Sequence, residues 1–161
     1  MVRQWILSII ACITTGMLFG ADFTWLSAPA SANWNETDAN WTGTASVWTS
    51  AATNSAIFGA SGTQTIAAGA VALSNLTFNA DGYTVSGGPL SLSGNFSVAT
   101  NVTAWLTVPI VHSATNYVLN KYGPGAVVLN PGNGSGSNIF ASLKVVQGTV
   151  RGSLASTDTV Q

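Results

Sequence analysis

Apolar and polar residues alternate along most of the chain, with the period of two that is typical of β-strands buried on one face. The alternation comes in short runs: Val71-x-Leu73, Leu76-x-Phe78, Tyr83-x-Val85, Leu90-x-Leu92, Phe96-x-Val98 and Leu106-x-Val108. Turn-forming residues such as Asp81-Gly82 and Ser93-Gly94-Asn95 separate the runs, and no stretch follows a helical period. We therefore predict an all-β chain of short strands joined by tight corners.

A glycine-rich corner recurs towards the end of the chain. Residues 120–125, Asn-Lys-Tyr-Gly-Pro-Gly, lie between two β-rich runs, 117–119 and 127–129. Glycine suits such a corner because it has no Cβ to restrict the backbone. Residues 143–150 repeat the arrangement, with Gly148 at the corner. Regular corners between short strands indicate a right-handed parallel β-helix, or β-solenoid; hairpins at Asp-Gly corners would give the alternative, a β-sandwich.

The corner residues resemble the autotransporter-associated β-strand repeat, also called the passenger-associated transport repeat. That repeat has a lysine, spaced glycines and alternating aliphatic residues, followed by Gly-Thr-Leu. The matching residues here are Lys121, Gly123, Gly125, Leu129, Gly148 and Thr149. The resemblance implies the N-terminal part of an exported passenger that has a structural or adhesive function at the cell surface or outside the cell.

Four tryptophans, Trp25, Trp34, Trp41 and Trp48, occur at near-regular intervals before the repeats. The first coil of a solenoid has an apolar, unpaired end, and large rings can cover it while their N–H groups reach backbone carbonyls. We therefore predict a Trp-rich N-terminal cap. The alternative is a carbohydrate platform of exposed indoles, which would make these four residues glycan contacts. The segment also resembles the opening of many passengers of the repeat family.

The first residues have the features of a secretory signal peptide. Arg3 supplies a positive charge, and residues 6–19 are mostly apolar but too short for a comfortable membrane span. We predict cleavage after Ala21; the small residues ending at Ala32 form an alternative site. The predicted organisation is a signal peptide at 1–21, the cap at 22–59 and β-solenoid repeats at 60–161.

The pattern of the repeats is interrupted at Val160-Gln161. We therefore expect a repeat array that continues beyond this point. A last coil without a successor leaves unpaired strand edges, which predicts end-to-end self-association.

Charged residues make up only 6% of the chain, and the formal net charge is −1. This leaves no basic field to hold phosphates, so nucleic acid is not a predicted partner. The single cysteine, Cys12, lies in the predicted signal peptide, so we expect neither a disulfide nor a thiolate metal site. We predict no transmembrane helix in the mature chain. Extracellular polysaccharide and cell-surface components are the partners that we consider.

Few side chains could carry chemistry. Asn35, Glu36, Asp38 and Asn40 place oxygens at near-alternating positions, which could hold calcium, but the glycine hinge and later bidentate acid of a calcium loop are missing. We therefore predict a solvated turn and no metal or other cofactor. Glu36 and Asp38 do not form the facing carboxylates of glycoside hydrolysis.

His112 is the single histidine, and no acid lies close in sequence to orient it as a general base. We predict a structural or surface role for it. Lys121 and Lys144 are predicted to cover apolar edges with their stems while their ammonium groups stay in water.

The chain is therefore predicted to be a non-catalytic, exported structural or adhesion module. The first alternative is a polysaccharide-binding module, and the second is a β-helix carbohydrate-active enzyme.

Overall fold

The computed structural model of the chain describes residues 20–112, 117–130, 138 and 141–152. The predicted signal peptide lies outside these residues except for its last two, Gly20 and Ala21. None of the described residues belongs to a helix that could cross a bilayer.

The described chain consists of short strands. The first three are β1 (Asp22–Trp25), β2 (Asn33–Trp34) and β3 (Trp41–Gly43). Those of the middle coils are β4 (Ser55–Phe58), β5 (Gln64–Ala68), β6 (Val71–Leu73), β7 (Leu76–Phe78), β8 (Tyr83–Gly87), β9 (Leu90–Leu92), β10 (Phe96–Val98), β11 (Thr103–Leu106) and β12 (Ile110–Val111). The last four are β13 (Val118–Tyr122), β14 (Ala126–Leu129), β15 (Ser142–Val145) and β16 (Thr149–Gly152).

The strands form three sheets that run along the stacking direction. Sheet A has the order β15-β13-β10-β7-β4-β1-β3, sheet B the order β16-β14-β11-β8-β5-β2, and sheet C the order β12-β9-β6. Each strand pairs in parallel with the strand in the same position of the next coil, and among the described strands only β1 and β3 pair antiparallel. This confirms the parallel β-solenoid; the β-sandwich alternative is wrong.

The register gives the length of each coil. Ala56 lies opposite Leu76, and Leu76 lies opposite Phe96, so each of these coils advances by 20 residues. Phe96 then lies opposite Lys121, which is an advance of 25 residues. Ile110 of β12 lies opposite Leu90, still an advance of 20, so the extra residues fall in the sequence between β12 and β13.

The core lies inside the coils, where the alternating side chains meet. Leu76 and Phe78 of β7, for example, are fully buried while Thr77 between them is only partly buried. The predicted inward pairs of β6 to β10 are confirmed in the same way. Strand β11 ends at Leu106 and buries Ala104 and Leu106. The predicted inward pair of Leu106 and Val108 is also buried, although Val108 lies beyond the end of the strand.

Asparagines occupy equivalent positions in three successive coils at one edge of sheet A. The Asn95 backbone N–H donates to Asn75 Oδ1 (3.1 Å), and Asn120 Nδ2 donates to Asn95 Oδ1 (2.9 Å). Such a ladder satisfies amide groups without charge, because each asparagine both donates and accepts. It accounts for part of the polar composition of the chain.

Candidate functional site

The Trp cluster, which consists of Trp25, Trp34, Trp41 and Trp48, closes the N-terminal end of the core. Each indole is at most 1% exposed. The rings meet edge to face, with centroids 5.0 Å apart for Trp25 and Trp41 and 5.1 Å apart for Trp34 and Trp48. The predicted cap is present, and it contributes β1, β3 and β4 to sheet A and β2 to sheet B. Because the rings are buried, the alternative of an exposed glycan platform at these residues is wrong.

Hydrogen bonding within the Trp cluster differs from the prediction. Only Trp25 donates its indole N–H, and its acceptor is Gln64 Oε1 (2.6 Å) and not a backbone carbonyl. The indole N–H groups of Trp34, Trp41 and Trp48 are buried with no acceptor among the described residues. Each such group costs about 1–3 kcal/mol, so ring packing must provide the net stabilisation.

The corner at Lys121 is the second buried feature. Lys121 is inward-facing and 0% exposed, because it continues the alternation that buries Leu119 in β13. Its Nζ donates to three carbonyl oxygens, those of Tyr122 (2.8 Å), Gly123 (2.6 Å) and Gln147 (3.0 Å). The prediction that its ammonium stays in water is therefore wrong. Burial lowers the pKa of Lys121 from its usual 10.5.

Two glycines make room for this ammonium. Gly123 has a φ of 77° and Gly148 a φ of 82°, both in the left-handed region that favours glycine. A Cβ on Gly148 would lie 2.5 Å from the Gly123 oxygen and 2.7 Å from Lys121 Nζ. The lysine and the glycines of two successive coils therefore form one polar corner.

The other residues of the predicted repeat motif belong to the same stack. The Gly125 N–H donates to the Val98 oxygen of the preceding coil (3.0 Å), and the Thr149 N–H donates to the Gly125 oxygen (3.2 Å). Leu129 is buried in the core. The motif therefore connects three successive coils. Lys144 lies opposite Asn120 and is exposed, so the two lysines do not have the same role.

The two lysines of the chain give a direct test of this burial. We expect N-hydroxysuccinimidyl acetate to acetylate Lys144 at least about 100-fold faster than Lys121 in the folded protein. The lowered pKa of Lys121 would favour reaction, but burial excludes the reagent. Peptide mass spectrometry over time measures both rates, and the unfolded chain in urea is the control, where the rates should converge. Equal rates in the folded protein would contradict the burial of Lys121.

The oxygen-rich turn at 35–40 is held together by its own hydrogen bonds. Asn35 Oδ1 accepts from the Asp38 N–H (2.8 Å), and Asp38 Oδ2 accepts from Ser31 Oγ (2.6 Å). Side-chain hydrogen bonds to the Asp38 carboxylate, first from Ser31 and then from Asn33, lower the pKa of Asp38. Asn40 Oδ1 accepts from the Ser31 N–H, and Glu36 Oε1 from the Ser50 N–H. The four oxygens that could have held calcium thus have separate donors.

His112 lies at the end of β12 and stacks on Tyr117, with ring centroids 3.7 Å apart and an angle of 6°. The Tyr117 hydroxyl donates to the Gly94 oxygen, and burial raises the pKa of that hydroxyl. His112 also borders a shallow groove of about 220 Å³ on the outward face of sheet C, with Ser91 and Ala72. No group of three His, Cys, Asp or Glu side chains that could hold a metal occurs within the described ranges.

A surface on sheet B was not among the predicted sites. Trp105 on β11 is 47% exposed. It lies between the buried residues Ala104 and Leu106 and therefore faces outward. The period-two pattern contains this signal, because the residue between two inward-facing positions faces outward.

No family model, curated protein or solved structure matches the chain.

Proposed function

We propose that this chain is a non-catalytic, exported structural module with an adhesive role at the cell surface, as expected for the passenger of an autotransporter. The observation that supports this most directly is the stacking of equivalent coils. Each coil contacts mainly its neighbours, and such a solenoid can extend away from an attachment point without a larger core.

The composition supports the same proposal. The solenoid is stabilised by strand pairing, aromatic packing and the asparagine ladder, and charged residues make up only 6% of the chain. Its buried cation, the Lys121 ammonium, is solvated by three carbonyl oxygens of the corner in place of water. A structure of this kind depends little on ionic strength, which suits an extracellular setting.

Export predicts a defined N-terminus for the mature protein. We expect N-terminal sequencing of material released from the surface of intact producing cells by mild protease or heat to begin at Asp22 and not at Asn33. Cleavage after Ala32 would remove β1, whose Phe23 and Trp25 are buried and which pairs with both β3 and β4.

A cytoplasmic protein of the same cells, which has no signal peptide, is the control. Its amount in the preparation measures how much material comes from lysed cells. Surface material that retains Arg3, or chain found with the cytoplasmic fraction alone, would contradict the proposal.

A further inference from the structure

The outward face of sheet B carries one continuous row of side chains along the solenoid. The register places Thr65 opposite Thr84, and Thr84 opposite Trp105. Beyond Trp105 the row continues with Val128 and then Arg151. The part of this row from Thr65 to Trp105, together with Thr103 beside it on β11, is here called the sheet B strip.

The polar groups of the sheet B strip are available to a ligand. The hydroxyls of Thr65, Thr84 and Thr103 make no hydrogen bond within the described part of the chain, and the same holds for the Trp105 indole N–H. Neighbouring hydroxyls on the same face behave differently. Thr107 Oγ1 donates to the Val85 oxygen (3.1 Å), and Ser86 Oγ donates to the Ile66 oxygen (3.2 Å).

The strip leads into a groove near the Trp cluster. This groove has a volume of about 410 Å³, and its lining includes Pro29, Ser31, Gln64 and Thr65. Thr65 therefore belongs to both the strip and the groove. Adjacent strands lie about 4.8 Å apart, so the two steps from Thr65 to Trp105 span about 10 Å. The surface is elongated and fits an extended ligand better than a compact one.

The charge around the strip limits the class of ligand. No charged side chain lies in the row from Thr65 to Trp105, and the bordering groups are one acid, Asp81, and one base, Arg151. Asp81 Oδ1 accepts from the Thr103 N–H (2.7 Å), so its carboxylate is placed to accept from a ligand hydroxyl as well. This surface has no basic patch for a nucleic acid or an acidic polymer.

We propose that the sheet B strip binds an extended neutral polysaccharide, with Trp105 as its stacking platform. The face of a sugar ring that carries C–H groups packs on the exposed indole. Its hydroxyls meet the unpaired threonine hydroxyls, the indole N–H and the Asp81 carboxylate. A buried aromatic contact of this kind contributes most of the binding energy at such a surface. The site supplies a ligand class for the adhesive role that is proposed above. It depends on that proposal only for its biological setting.

Retention of the purified full chain on washed cellulose, chitin and insoluble β-1,3-glucan tests the site. We expect retention on at least one of them, a loss of at least about tenfold for Trp105→Ala, and a smaller loss for Trp105→Phe. Tyr122→Ala is the matched control, because Tyr122 is 43% exposed but lies on sheet A, and its retention should equal that of the wild type. Circular dichroism verifies that each variant is folded.

Iodide quenching gives a second readout, because the four tryptophans of the Trp cluster are shielded and Trp105 is not. The difference in quenching between the wild type and Trp105→Phe isolates Trp105 from Trp5, which both proteins contain. Soluble oligosaccharide of the retained type should abolish most of this difference. No retention on any of the three polymers would overturn the proposal, as would equal retention of Trp105→Ala. A Trp105-dependent dimer in sedimentation, without retention, would instead assign the strip to a second copy. None of these outcomes changes the result of the N-terminal sequencing, so the two proposals fail independently.

Discussion

Trp34→Ala is expected to lower the free energy of unfolding by about 3–5 kcal/mol. Trp34 is 0% exposed and contacts Trp41, Trp48 and Phe58 through its ring, so its removal leaves a cavity in the middle of the Trp cluster. Urea unfolding followed by circular dichroism measures the change. A domain of this size has a total stability of about 5–15 kcal/mol, so this single substitution should remove a large fraction of it.

Two further variants separate the causes of this loss. Trp34→Phe keeps an aromatic ring but removes the indole N–H, for which the described residues offer no acceptor, so it should cost less than half as much as Trp34→Ala. Trp105→Ala removes an indole of the same size that is 47% exposed, and we expect a change within about 0.5 kcal/mol. If Trp34→Ala and Trp105→Ala unfolded at the same urea concentration, the Trp cluster would not be the buried end of the core.

Lys121→Met is expected to lower the free energy of unfolding by about 2–4 kcal/mol. Methionine fills similar space but gives no hydrogen bond to the oxygens of Tyr122, Gly123 and Gln147, and buried acceptors without a donor cost about 1–3 kcal/mol. The substitution also removes the desolvation of the ammonium, which is the cause of the lowered pKa and offsets part of the loss.

Lys144→Met is the matched control for this prediction. Lys144 lies on the next strand of sheet A and is exposed, so its replacement should change stability by no more than about 0.5 kcal/mol. Both variants have the same change of charge, and comparing them therefore cancels the effect of net charge. Equal stability of the two variants would contradict this prediction. It would mean that the free energy gained from the three hydrogen bonds of Lys121 is fully offset by the cost of desolvating its ammonium group.

Local pattern in the sequence was sufficient to predict most of the strands and an all-β chain, whereas the parallel pairing that separates a β-solenoid from a β-sandwich came from the structure. The inward pairs of β6 to β10 follow from alternation alone, and the glycines at 123 and 148 mark corners because their left-handed backbone conformation favours glycine. These signals act within a few residues, where the chain's own geometry decides the outcome. The clustering of four tryptophans likewise indicated a covered end, although it did not exclude an exposed platform.

Tertiary structure alone decided which side chains are buried and what they contact. Lys121 follows Leu119 on the inward face, but a charged residue is expected in water unless acceptors from the next coil reach it, and the Gln147 oxygen comes from a residue 26 positions later. The exposed ring of Trp105 and the threonines beside it came together only through the register of parallel strands. Burial and contact depend on this pairing across coils, and pairing across such distances has no signal within a single strand.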